Sequence, residues 1–402
     1  MKHPIKSVIK QVIRLICLVI IAFPTLAQLR TKSQIHSRKF TFLKSTSARW
    51  ASIFDEQITG SIRFVGLGEF PHGGNETIQF KTKMIQYLVE QKGYRELLLE
   101  YPNILISPLA EYLVNSKSIN IDSVVYLAKS TFGRTFLGNA SFYDLLIWIK
   151  EYNLSHLGDE INLRGIDIEG ASEAFPEYFV TSIMSLMDAS DASKLRSEWK
   201  SIPKDSVVAV QTQWFRKNQE LIKMRAEKGF FDKLNYDVKC AEYKLTHEAF
   251  QRTNVYRASA FRDSVMAANV VVKDNAKAII WAHNLHVTTS DNVVSMGNYL
   301  KKIAGKQYYT ILTDFSNQST VWSISNTGDL FKKTYASNIK TVANRMLKKD
   351  NVDQEIIFFE DIKNKHPKVN CIERTGNQYI FGKGRPFDCL VVLRDVTPFI
   401  FQ

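Results

Sequence analysis

The stretch from Ile62 to Tyr101 constrains the fold most. It opens with an apolar run, Ile62–Arg63–Phe64–Val65–Gly66–Leu67, followed by Gly68–Glu69–Phe70–Pro71–His72–Gly73–Gly74. A helical pattern spans Asn75 to Gln91, and a second apolar run, Leu97–Leu98–Leu99, ends in Glu100. Strand, loop, helix and strand in this order predict one βαβ unit. Glycines at 66, 68, 73 and 74 tolerate backbone conformations and close approaches that side chains forbid. Asn75 is read as the helix N-cap and Gly93 as its stop. The unit puts Glu69 and His72 just past one strand and Glu100 at the end of the next. Open parallel sheets bind ligands at that edge.

Three more segments bring ionisable residues to the same edge. Ile161–Asp167 reads as a strand ending in Asp167 and Glu169. Lys277–Ala282 reads as a buried strand running into His283–Asn284–Leu285–His286. Tyr308–Leu312 and Phe387–Val396 are further strands, and Thr320–Ser325 with Asp329–Phe331 reads as a hairpin. Residues 104–155 read as helices, as do 340–349, and a short helix is expected around Ser47–Gln57. Between about 171 and 255 there is no strand signal. Tyr178–Met187, Val207–Arg225 and Phe230–Phe250 instead predict a helical insertion. The expected fold is α/β, a mainly parallel central sheet flanked by helices with a long helical insertion.

The first 27 residues are set apart. Lys2, Lys6, Lys10 and Arg14 precede an apolar stretch, Leu15–Leu26, and Thr25–Leu26–Ala27 offers a cleavage point. The stretch is short of the ~20 residues of a membrane span, so the expectation is a cleaved export signal, with an uncleaved anchor as the alternative. The domain is then 28–402, periplasmic or extracellular, with no stable membrane insertion after cleavage. The full chain carries 53 Lys+Arg against 40 Asp+Glu, net +13, and removal of the four N-terminal cations leaves +9. The remaining cations are scattered without a recognition motif, so no nucleic-acid partner is expected. In an exported chain Cys371 could pair with Cys389, and a buried free thiol at Cys389 is the competing reading.

Several chemistries lack their motifs. G-x-S-x-G, H-E-x-x-H and a P-loop are absent, and Gly66–Leu67–Gly68 lacks the third glycine of a dinucleotide fingerprint. Two readings remain for the strand-edge residues. In one, His72 deprotonates a water, Glu69 or Glu100 holds its ring, and Lys81, Arg164 or Arg262 stabilises the oxyanion. In the other, Glu69, His72, His283 and His286 bind a divalent metal that activates the water.

The same residues resemble the erythromycin esterase family. The match lies in Gly66–Leu67–Gly68–Glu69–Phe70–Pro71–His72–Gly73 with Glu76, Phe80 and Lys81, and in Glu100 and Arg164–Gly165–Ile166–Asp167. It continues through Arg262–Asp263–Ser264–Val265–Met266–Ala267–Ala268–Asn269, Ala282–His283–Asn284–Leu285–His286–Val287, Met296–Gly297–Asn298–Tyr299–Leu300 and Asp395–Val396–Thr397–Pro398. The resemblance implies an α/β core with a helical insertion and metal-independent hydrolysis of a macrolide lactone by His-activated water, without a cofactor. It implies His72 as base, with Glu69, Glu100 and His283 catalytic, and His286, Lys81, Arg164, Asp167 and Arg262 around the substrate. Phe70–Pro71 and Asn75 depart from the family pattern beside the site, and export suits another ester or lactone. The competing reading is a metal- or haem-binding exported protein without turnover, because related haem-binding lipoproteins share a similar fold.

Overall fold

The computed structural model describes residues 37–39, 47–272, 276–324, 330–337, 343, 353–360, 371–375, 377–380 and 385–400. The export signal and the helix expected at 340–349, apart from residue 343, lie outside them.

A nine-stranded sheet forms the centre, in the order β1-β8-β11-β6-β2-β5-β3-β4, with β7 paired to β6. The strands that position the site are β2 (Phe64–Glu69), β3 (Glu96–Pro102), β4 (Asn162–Asp167), β5 (Ala278–His283), β6 (Tyr308–Ile324) and β11 (Cys389–Val396). These six run parallel. The predicted first unit is present, but its strands are not neighbours. From β2 the chain winds out through β3 to β4, then returns to lay β5 between β2 and β3. The carboxyl ends of β2, β5, β3 and β4 therefore stand side by side. In the ladder Glu69 is directly opposite His283, and Pro102 is opposite Asp167.

Strand alternation sorts the apolar runs onto two faces. Val65, Leu67, Leu97, Leu99, Ile279 and Trp281 pack in one core cluster, whereas Phe64, Leu98, Ile280 and Ala282 pack in another. The first is covered by helices α1 (Ser47–Phe54), α2 (Asn75–Lys92), α3 (Asn103–Asn115), α4 (Ile121–Phe132) and α5 (Ala140–Ser155). Helices α10 (Val255–Val270), α11 (Asn284–Val287) and α12 (Met296–Ala304) cover the second. Between β4 and α10, α6 (Ala171–Met184), α7 (Ala189–Lys200), α8 (Lys204–Arg225) and α9 (Lys228–Thr253) share a core of their own, including Phe175, Phe179, Trp199, Phe215 and Leu234.

Some local expectations are corrected. Tyr308–Leu312 and the first hairpin strand are one continuous strand, β6, which overruns the parallel sheet and pairs with β7 (Leu330–Ala336). Asn75 is not the cap of α2; Gly74 is, without a side-chain bond. The C-terminal segment meets the start of the helix here. The Asn75 N–H donates to the Thr397 carbonyl at 2.8 Å, and Gly74 bridges to Pro398. At the other end Gly93 takes the left-handed conformation, φ 71°, and closes the helix as read. Strands β8 (Gln354–Phe358), β9 (Cys371–Thr375) and β10 (Asn377–Ile380) had no sequence reading, and β1 (Ser37–Lys39) falls in residues 28–60, which read as irregular apart from one short helix. Cys389 is fully buried in β11, while the Cys371 side chain lies outside the described residues.

Candidate active site

Alternation along β2 puts Glu69 on the same face as Val65 and Leu67, against α2. Lys81 comes from the second turn of that helix and is fully buried. The Glu69 carboxylate accepts from three donors: His72 Nδ1 at 2.5 Å, Lys81 Nζ at 2.9 Å and Trp281 Nε1 at 2.9 Å. Burial opposes the Glu69 charge, but the Lys81 ammonium and the His72 and Lys81 hydrogen bonds outweigh it and hold the carboxyl at about 2. Burial pulls Lys81 down to about 8 against the attraction of Glu69. Its ammonium also donates to the Ala282 carbonyl and lies over the Trp281 ring, at 3.2 and 4.5 Å. Lys81 is thus consumed in fixing Glu69 and has no face towards a substrate.

An ionised carboxylate only accepts, so His72 Nδ1 carries the proton it gives to Glu69. In the neutral ring Nε2 then holds a lone pair. The His72 side chain is 33% exposed, whereas its Glu69 partner is 5% exposed. The ring is flanked by Phe136 at 5.0 Å between centroids and by His283 at 4.7 Å.

Glu100, two residues beyond Leu98, serves the opposite face. Its Oε1 meets Arg262 Nη2 at 3.1 Å and His286 Nε2 at 3.2 Å, and its Oε2 accepts the His283 backbone N–H at 2.7 Å. Burial opposes its charge, and the His286 charge and hydrogen bond, with the Arg262 guanidinium, hold it well below the carboxylate range. Arg262 forks onto Asp167 with bonds of 2.8 and 2.5 Å, and Asp167 Oδ1 also accepts the Ile168 and Glu169 backbone N–H groups. Arg262 and Asp167 are therefore in the network but spent on each other.

The two histidines at the end of β5 and in α11 differ. His286 gives Nδ1 to Asp263 at 2.8 Å and Nε2 to Glu100 at 3.2 Å. Burial works against its charge, yet Glu100 and Asp263 push it up to about 10, so it is an imidazolium at neutral pH. His283 caps the short helix, with Nδ1 accepting the Leu285 N–H at 3.1 Å. Burial, reinforced by His72, pushes it down to about 3. His283 is a neutral ring whose Nε2 must carry the proton.

The sequence candidates thus fall into two groups. Glu69, His72, Lys81, Glu100, His283, His286, Arg262 and Asp167 form one hydrogen-bonded and stacked array at the strand ends. Arg164 stands apart. It donates to the Asn269 carbonyl at 2.8 Å and to the Tyr236 hydroxyl at 3.3 Å, and lines a separate cavity between α3, β4 and α9. Asp263, Trp281 and Phe136 were missed as site residues. Asp263 stood in the motif beside Arg262, but nothing local revealed that it faces a histidine. The metal set Glu69, His72, His283 and His286 fits poorly as a donor set. Both His286 nitrogens donate to carboxylates, and Glu69 is filled by three donors. Among the described residues no group of three or more His, Cys, Asp or Glu is placed to hold an ion.

A protein-family model for erythromycin esterase matches residues 89–334. In Bacillus subtilis (strain 168), the protein named "Putative hydrolase YbfO" is 24% identical over 308 residues, 64% of this chain and 66% of its own, so this chain spans just under two thirds of that relative. Among solved structures, a Bacillus cereus protein superposes with a TM-score of 0.70 at 18% identity, over 91% of this chain and 97% of that one. A histidine-to-asparagine mutant of the erythromycin esterase EreC in its open conformation gives 0.67 at 19% identity, over 91% and 99%. A succinoglycan biosynthesis protein gives 0.65 at 16%, over 92% and 97%. At these identities the structural likeness is one of fold, and with the family match over more than half of its length the chain belongs to the erythromycin esterase family, a family of hydrolases.

Proposed function

We propose that the protein hydrolyses a neutral carboxylic ester or lactone with a water activated by His72 and without a metal. The observation that carries this reading is the 2.5 Å bond from His72 Nδ1 to a buried, ionised Glu69, which leaves Nε2 as the basic atom of a partly exposed ring. A water on Nε2 gives its proton to the ring as its oxygen bonds to the carbonyl carbon. Glu69 stabilises the imidazolium that forms. The carbonyl oxygen gains the electron pair, and His283 Nε2–H is the donor for that oxyanion. On collapse the C–O bond to the alkoxy group breaks and His72 returns its proton to the leaving oxygen. The products are one acid and one alcohol, joined in a single chain if the substrate is a lactone.

Lys81, Arg262 and His286 act from behind in this scheme. Each cation is paired with carboxylates, which holds Glu69 and Glu100 in place and favours an uncharged substrate. A macrolide lactone is one candidate. Phe70, which departs from the family pattern, stacks on Phe315 at 6.1 Å and meets the His283 ring edge-on at 5.8 Å, and so bears on which ester fits. Export from the cytoplasm after cleavage near residue 27 forms part of the proposal. The test is mass spectrometry of macrolides and simpler esters incubated with residues 28–402, with His72→Ala in parallel. The substrate should gain one water with the wild type and none with the variant. Hydrolysis at the wild-type rate by the variant would refute the mechanism.

A further inference from the structure

The base is held at Nδ1 by Glu69, but a single hydrogen bond leaves a ring free to swing about it. Phe136 supplies the missing constraint. Its ring lies parallel to the His72 imidazole, 2° between planes and 5.0 Å between centroids. His283 stands 4.7 Å away at 52°. The imidazole is thus bounded by an aromatic face, a second imidazole and a carboxylate.

Phe136 is itself firmly placed. It sits between α4 and α5, in a turn anchored by buried Phe132 and Leu137. Asn139 gives Nδ2 to the Phe136 carbonyl at 3.1 Å, while its Oδ1 accepts the Phe142 N–H at 2.9 Å and so caps α5. The turn closes on itself through Gly138 N–H to the Thr135 carbonyl at 3.0 Å. On the other side Phe136 reaches the residue after the base. Its Cδ1 would lie 3.2 Å from a Cβ on Gly73, with the Trp322 carbonyl and Phe399 at 3.3 and 3.4 Å. Gly73 has φ 80°, so the tight space and the left-handed backbone both require glycine there.

We propose that Phe136 is a positioning residue for the base: its stacked ring fixes the plane of His72 so that Nε2 faces the reacting carbonyl. The proposal rests on the hydrolytic reading above and adds a residue that no motif contains. The physical argument is one of orientation. A base rotated out of line loses the near-attack geometry, and displacements of about 1 Å can cost on the order of 100-fold in rate. Stacking also leaves an electron-rich face against the imidazolium formed during turnover.

The test compares wild type, Phe136→Ala, Phe136→Tyr and His72→Ala of residues 28–402, using 4-nitrophenyl butyrate as the probe ester. Proton NMR of the imidazole signals is recorded without substrate, and His72 is assigned by its loss in His72→Ala. The expected result is a kcat about 10- to 100-fold lower in Phe136→Ala with KM within about twofold, restored within about threefold by Phe136→Tyr. The His72 ring protons should move downfield in Phe136→Ala, as the ring current of the stacked phenyl is removed, and stay in place in Phe136→Tyr. An unchanged kcat in Phe136→Ala, or a lower thermal midpoint with no change in His72 signals, overturns the proposal. Turnover surviving in His72→Ala would instead defeat the hydrolytic reading. If the wild type leaves the probe intact, the NMR comparison alone decides whether Phe136 holds the ring.

Discussion

His283, at the end of β5, and His286, in the short helix it caps, stand three residues apart, yet the protein gives them opposite charge states. His286 lies between Asp263 and Glu100 and is pushed up to about 10. His283 is half-buried with its Nδ1 turned to a backbone N–H, and is pushed down to about 3. The spacing H-x-x-H invites the reading of a metal pair. The surroundings make one residue a fixed cation and the other a neutral donor. Residue type and spacing set what a histidine could do, and its neighbours select which of those roles it fills. The same contrast divides the sheet edge. The β2 face carries His72 and its carboxylate partner, while the β3 face carries a saturated charge network. His283, at the end of the strand between them, belongs to both: its ring is near His72 and its backbone N–H is held by Glu100.

The comparison can be broken by removing its parts. His72→Ala should have the largest effect, a loss of about 10³-fold in kcat, or roughly 4 kcal/mol, with the circular dichroism spectrum unchanged. His283→Gln should follow, at about 10²-fold in kcat, because the oxyanion loses its fixed donor. Steady-state kinetics on the same ester would rank the two. Equal rates for wild type and His283→Gln would remove His283 from the chemistry. Asp263→Asn should act on stability, costing about 3 kcal/mol in urea denaturation, because it strips one of two carboxylates from a largely enclosed cation.

The pH dependence of unfolding sharpens the contrast. The folded-state value of His286 is raised above the ordinary 6.5, so its stabilisation is complete below about 6.5 and is lost as pH rises through about 10. His283 is lowered, so the unfolded chain binds the extra proton and stability falls as pH drops from about 6.5 towards 3. Glu69 stabilises above its ordinary 4.5 and loses that contribution as pH falls through about 2. Denaturation midpoints should therefore peak near pH 6 to 7. His286→Gln should flatten the alkaline limb and His283→Gln the acid limb. Identical limbs in both variants would contradict the assigned charge states. The smallest effect expected is that of Glu76→Ala. Glu76 accepts the Thr397 N–H and hydroxyl at 2.7 and 2.6 Å, tying the C-terminal segment to the start of α2, and its loss should cost about 1 kcal/mol in thermal melting.

Much of this site was legible in the sequence because its signals are local. An apolar run ending in an acid or a histidine says strand end, and the strand ends carrying Glu69, Glu100, Asp167 and His283 meet at one edge. What was hidden is long-range. Lys81, Arg164 and Arg262 were equivalent candidates for the oxyanion, and only packing shows Lys81 sealed under Glu69, Arg262 clamped by Asp167 and Arg164 engaged with Tyr236. Phe136 carries no charge and sits in no motif, so no pattern could tie it to a histidine 64 positions earlier. β6 was divided in the reading because its outer half leaves the parallel core and alternates like a surface hairpin. Gly74 takes the cap position in place of Asn75, and a segment more than 300 residues away accepts the first N–H of the helix.

The most direct test of the central claim is a ¹⁵N NMR titration of the histidine rings between pH 5 and 9. At pH 7.5 His286 should show both nitrogens protonated, His283 a single proton on Nε2, and His72 in its neutral form a single proton on Nδ1. A neutral His286, or a His283 with an unprotonated Nε2, would contradict the account, because the strand edge would then lack both its fixed cation and its oxyanion donor.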